Sequence, residues 1–163
     1  MNVLLIGDGD TKYGAMHSLY HMAIALNRYS DLNISVMLNQ NSPLAEKMRA
    51  EGISVEIVNY MPFYQGISEN KLKFLAKYVI RGAQYWYGRM SAINHTRNFM
   101  SENHFDLIHS DSSREDMGTI LANYYHIPLI WHIREFDDLD YSYNSCLTSN
   151  NYKIYPIKNH ITS

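Results

Sequence analysis

Five short apolar runs alternate with stretches of helical periodicity along this chain, and no other feature constrains its fold as strongly. Val3–Ile6, Ile34–Leu38, Ile53–Val58, Phe105–His109 and Leu129–Ile133 read as strands. The first is uniformly apolar up to Gly7, the pattern of a strand buried on both faces. Met16, Leu19, Tyr20, Ala23 and Leu26 recur at helical spacing, so residues 15–28 read as a helix. Ser42-Pro43 supplies an N-cap and a proline at the first helical position, and Gly52 stops the helix that follows. Residues 59–70 form a turn-rich connection. From Lys71 to about Asn103 the pattern is helical again, about 50 Å long at the usual rise per residue, with Gly82 and Gly88 as plausible breaks. Ser113 with Asp116 resembles a capping box, Met117, Ile120, Leu121 and Tyr124 give the next helix its apolar face, and His126-Ile127-Pro128 ends it. The alternation predicts an α/β fold: a doubly wound parallel sheet, Rossmann-like, in three α/β/α layers with right-handed crossovers.

That fold needs one core, and 163 residues with 46% hydrophobic side chains can fill it. Residues 1–141 are expected to form the domain and 142–163 an irregular tail. A formal charge of −2 argues against general nucleic-acid binding. The single cysteine, Cys146, excludes an internal disulfide and a Cys-rich zinc site and reads as a neutral thiol in a polar loop. The N-terminal apolar run lacks the basic flank and length of a secretory signal, and no stretch approaches the ~20 apolar residues of a membrane span. A cytoplasmic chain is expected, peripheral at the inner membrane face if it touches lipid at all.

In a doubly wound sheet, ligands bind beyond the carboxyl ends of the strands, which singles out the segments after strands one, four and five. The first reads G-D-G-D-T-K-Y-G-A. Lys12 stands where a dinucleotide fingerprint needs its third glycine, and Ala15-Met16 stands where a P-loop needs Lys-Ser/Thr. What remains is either a glycine loop whose amides and helix start face an oxyanion, or a tight strand-to-helix turn. Ser110, Ser112, Ser113 and Arg114 follow strand four as cleft residues or plain helix-start residues. His132 ends strand five before Arg134-Glu135, with no sequence-local carboxylate or serine to complete a triad. Taken alone, it reads as a core or hydrogen-bonded histidine. His17 and His21 lie one helical turn apart without the glutamate of a zincin, so no metal is expected. Lys71, Lys73, Lys77, Arg81, Arg89 and Arg97 punctuate the long helix together with Phe74, Tyr78, Tyr85, Trp86 and Tyr87. That mixture suits an anionic membrane surface or a lipid-linked substrate, with Lys73, Lys77, Arg81 and Trp86 in contact, or else a solvated basic face whose aromatics pack on the sheet.

Three blocks, G-D-G-x-x-x-x-G-A, F-D-L-I-H-S-x-S-S and I-P-x-I-W-H-I-R-E-F, together resemble the N-terminal domain of family-4 glycosyltransferases, enzymes of the two-lobed GT-B fold. The resemblance covers residues 1–141, and the W-H-I-R-E-F block is its most specific element. It implies transfer of a sugar from a nucleotide-sugar to a glycan or lipid-linked acceptor, with retention of configuration and without a metal or other cofactor. By the same resemblance, Gly9, Asp10, Thr11, Gly14 and Ala15 form the loop toward donor phosphates and acceptor, with Ala15 in place of the family's second glycine. His132 becomes the catalytic-site residue that meets the donor sugar, flanked in the cleft by Ser110, Ser112, Ser113, Arg114, Arg134 and Glu135. The paired glutamates and Arg/Lys pair of the family's second lobe are absent from the sequence, so a complementary donor-lobe chain is an expected partner. The alternative is a non-catalytic module that binds a membrane surface, a glycan or a partner subunit. A stand-alone flavodoxin-like nucleotide binder is a third, weaker reading.

Overall fold

The computed structural model describes residues 1–12, 14–60, 71–112 and 116–132, with the side chains of 71–78 and 81 outside that description. Within it the elements run β1 (Asn2–Gly7), α1 (Gly14–Tyr29), β2 (Asn33–Leu38), α2 (Pro43–Ala50), β3 (Ser54–Ile57), α3 (Lys71–Asn103), β4 (Leu107–Asp111), α4 (Met117–Tyr125) and β5 (Leu129–His132). All strand pairs are parallel and the order is β3-β2-β1-β4-β5. The sheet grows from β1 toward β3 in one direction, then α3 carries the chain back across to β4. The order therefore reverses between β1 and β4, and this is where such folds place a ligand.

The apolar run of β1 is explained by its central place. Val3 and Leu5 pack with α1 and α2, including Met16, Leu19, Ala45 and Met48. Leu4 and Ile6 pack the other way with α3 and α4, including Ala92, Ile93, Met117 and Leu121. Alternation along one strand thus fills both helical layers, and each fully buried aliphatic side chain contributes about 1.5–3 kcal/mol.

Local signals fix several element ends. Ser42 caps α2, its Oγ accepting from the Ala45 amide at 3.3 Å, with Pro43 at the first helical position. Gly52 adopts φ +82° after that helix, and His126 takes the left-handed conformation after α4 while its amide donates to the Ala122 carbonyl.

Four expectations are corrected. β4 begins two residues later than its apolar pattern suggests and extends through Asp111. His104, at φ 45°, ends α3, and Phe105 fills the core against Phe99 instead of starting the strand. The long helix passes through Gly82 and Gly88 without a break, because glycine weakens a helix interior but does not remove its hydrogen bonds. The N-cap of α4 is Asp116 itself, and its carboxylate makes no cap bond. It accepts instead from Arg89 Nη2 and the Tyr85 hydroxyl. Arg89 is accordingly no part of a solvated basic face: it is 1% exposed, with its guanidinium over the rings of Tyr85 and Tyr60 at 4.4 and 5.0 Å.

Candidate functional site

The carboxyl edge of β1, β4 and β5 gathers the β1–α1 loop, Ser110, Asp111, Ser112 and His132. In the first of these, the amides are largely engaged. Asn39 Oδ1 accepts from the Gly9 amide at 3.1 Å, Asp8 Oδ1 from Asp10 at 2.9 Å, and Asp10 Oδ1 from Lys12 at 3.0 Å. The last two are Asx turns that hold the loop in shape. Gly9 is required for another reason. A Cβ there would lie 2.2 Å from the Gln40 carbonyl oxygen, so the glycine lets two loops touch. A Cβ on Gly14 would meet nothing within 4 Å. The loop is a self-braced turn, and what it offers a ligand narrows to its Thr11 side and the first turn of α1 at Gly14 and Ala15.

The register pairs Ser110 with Trp131 and Asp111 with His132. Side chains alternate along each strand, so His109, Asp111, Ile130 and His132 share the face on which α1 packs, while Ser110 turns to the opposite layer. There Ser110 is fully buried beneath α4, and a Cβ on Gly118 would come within 2.6 Å of the Ser110 Cβ. α4 thus approaches closely enough to bury Ser110. Ser112 is buried, with φ +89°, a strained conformation for a residue with a side chain. Its amide donates to the His132 carbonyl at 2.9 Å, and its own carbonyl accepts from Trp131 Nε1 at 2.9 Å. The Ser112 backbone thus forms a clasp between the ends of β4 and β5.

His132 does have a carboxylate nearby. Its Nδ1 lies 3.4 Å from Asp111 Oδ1, with the acid side chain 1% and the imidazole 36% exposed. The His109 ring stands edge-on to it, centroids 6.0 Å apart. Asp111 escaped the sequence reading because its neighbour comes from another strand, and because β4 was ended two residues early. The one available signal was an acid two residues beyond the strand read as Phe105–His109.

On α3, Arg89, Ala92, Ile93, Thr96 and Met100 are buried, whereas Val79, Ile80, Trp86, Tyr87 and Met90 are exposed, Trp86 to 65% and Tyr87 to 79%. Among the described side chains, those α3 exposes between Val79 and Met90 are thus largely apolar. Burial pushes the Tyr85 phenol up to about 12, helped by the adjacent Asp116 charge. Ser113, Arg114, Arg134, Glu135 and the tail from 142 lie outside the described residues, as do the side chains of Lys73, Lys77 and Arg81. Among the described residues, no group of three or more His, Cys, Asp or Glu could hold a metal ion, and no helix is long and apolar enough to cross a membrane.

Five parallel strands in this order, flanked by helices, define a Rossmann-like α/β lobe. No family model matches the chain, and no curated protein matches it. Among solved structures it is similar to MurG of Acinetobacter baumannii, with a TM-score of 0.56 at 15% identity over 85% of this chain and 38% of that one. The spinosyn rhamnosyltransferase SpnG complexed with thymidine diphosphate overlays with a TM-score of 0.49 at 12% identity over 82% of this chain and 34% of that one, too low to carry weight. The chain thus shares an α/β Rossmann-like fold with part of MurG and spans well under half of MurG's length. At this identity the likeness concerns fold alone.

Proposed function

We propose that the chain is the acceptor-side lobe of a retaining, family-4-like glycosyltransferase, moving sugar from a nucleotide-sugar to a glycan or lipid-linked acceptor in surface polysaccharide or glycolipid assembly. The observation that supports the reading is that the β1–α1 loop lies on one side of the switch point, and Asp111 with His132 on the other, along one carboxyl edge of a Rossmann-like sheet. In this reading the N-terminal end of α1 faces the donor phosphates, where its dipole favours negative charge. His132 orients the donor sugar through a polar contact, and the leaving phosphate takes the acceptor proton. The protein contributes positioning and charge stabilisation, with no metal or other cofactor. The nucleoside is held by a second lobe, supplied in the same polypeptide or by a separate chain.

The test is reconstitution. The chain is incubated with radiolabelled UDP-, GDP- and dTDP-hexoses and a bacterial lipid extract, with and without a separately expressed GT-B donor lobe. The expected result is no transfer by the chain alone and transfer when the lobe is added, abolished by His132→Ala. Donor lobes that restore nothing across this panel would count against the reading.

A second reading, a module that binds an anionic membrane surface, is favoured by the exposed Val79, Ile80, Trp86, Tyr87 and Met90. Apolar side chains on a helix with Lys73, Lys77 and Arg81 in the same segment are the composition of an interfacial helix. Co-sedimentation with phosphatidylglycerol vesicles is expected to fall at least tenfold in a Lys73→Gln/Lys77→Gln/Arg81→Gln variant. Equal binding by both proteins removes this reading.

A further inference from the structure

We infer that Asp111 is the positioning residue for His132, the two forming a dyad across β4 and β5 that presents the Nε2 lone pair of a neutral imidazole to a sugar hydroxyl. The inference rests on the proposed transfer site and adds the residue that decides how His132 meets its substrate.

Four observations converge. The two residues are register partners at the ends of adjacent parallel strands, so their side chains leave the same face together. The acid is buried and the imidazole partly open, with Nδ1, not Nε2, 3.4 Å from Oδ1. The main chain beneath is pinned twice, by the Ser112 amide on the His132 carbonyl and by Trp131 Nε1 on the Ser112 carbonyl. The ring of His109 stands edge-on beside the imidazole, centroids 6.0 Å apart.

A carboxylate facing Nδ1 favours the tautomer with the proton on that nitrogen, because it can only accept. Nε2 is then left as an acceptor, on the side of the ring away from Asp111, in a side chain that is 36% exposed. A site so arranged recognises a hydroxyl donor, as a sugar provides, and disfavours a carbonyl or phosphate oxygen at the same point. Uncoupled from the acid, a neutral imidazole in water carries its proton mainly on Nε2 and would present a donor instead.

The tautomer can be read without substrate. In the full chain labelled with 15N-histidine, long-range proton–nitrogen spectra at about pH 8, where ordinary imidazoles are neutral, are assigned by comparison with His132→Gln. The expected spectrum has His132 Nδ1 in the protonated range and Nε2 in the unprotonated range, and Asp111→Ala is expected to shift the proton to Nε2. A wild-type His132 protonated on Nε2, or a pattern unchanged in Asp111→Ala, overturns the dyad. If Asp111→Ala fails to fold, the wild-type spectrum decides alone. Since no transfer is measured, a silent transferase assay leaves the dyad standing, and a wrong tautomer leaves the transferase reading standing.

Discussion

Arg89, buried in the middle of α3, donates through Nη2 to Oδ1 of Asp116, the residue that opens α4. This bond ties the crossover helix to the segment that follows β4. The guanidinium stacks on Tyr85 and Tyr60 as well, so charge and planar shape are both used. Removing one member of a buried ion pair strands the other. Because Asp116 stays 25% exposed and keeps the Tyr85 bond, Arg89→Met is expected to lower unfolding free energy by about 1–3 kcal/mol in urea titrations. Arg89→Lys keeps the charge but loses the stacking, and should recover only part of that loss.

Tyr85 donates to the other oxygen of Asp116 and ionises late, near 12. The folded state holds this proton more tightly than the unfolded chain, whose phenols titrate around 10. Its contribution to stability is complete below about pH 10 and is lost as pH rises toward 12. Chemical denaturation at a series of alkaline pH values should show this decline, and Tyr85→Phe should flatten it.

Two glycines of the β1–α1 loop are expected to respond in opposite ways. Gly9→Ala drives a Cβ into the Gln40 backbone, which cannot swing aside, and should cost about 1–3 kcal/mol. Gly14→Ala adds a methyl in open space at a helix start without a positive φ, and should be neutral or stabilise by up to about 1 kcal/mol. Thermal melts of the two variants compare them directly, and equal losses would mean that the loop is not braced against Gln40.

The approach of α4 to β4 depends on Gly118 lying over Ser110. Gly118→Ala is expected to destabilise by about 1–3 kcal/mol through overpacking. Ser110→Gly in the same chain removes the opposing Cβ and should restore much of it, a coupling that a double-mutant cycle measures. Additive losses would place the strain elsewhere.

Much of this fold was legible in the linear pattern. The apolar run of β1, the Ser42-Pro43 start and Gly52 stop of α2, and the helical spacing of α1 depend on neighbours within a few residues, and they lie close to where the pattern puts them. The alternation of these elements also implies a parallel sheet, because a crossover helix must follow each strand. Relations between segments far apart in the chain were decided by tertiary structure. Phe105 looked like strand and became core, since burial can be satisfied in either conformation. Arg89 looked like solvated surface until Asp116, Tyr60 and Tyr85 closed around it. His132 had no carboxylate in its own segment, and parallel pairing brought Asp111 to its side from 21 residues upstream. The sequence by itself determined the strands and helices and the edge where chemistry belongs. Only the packed sheet decided which side chains face one another there, because strand register converts distance along the chain into contact.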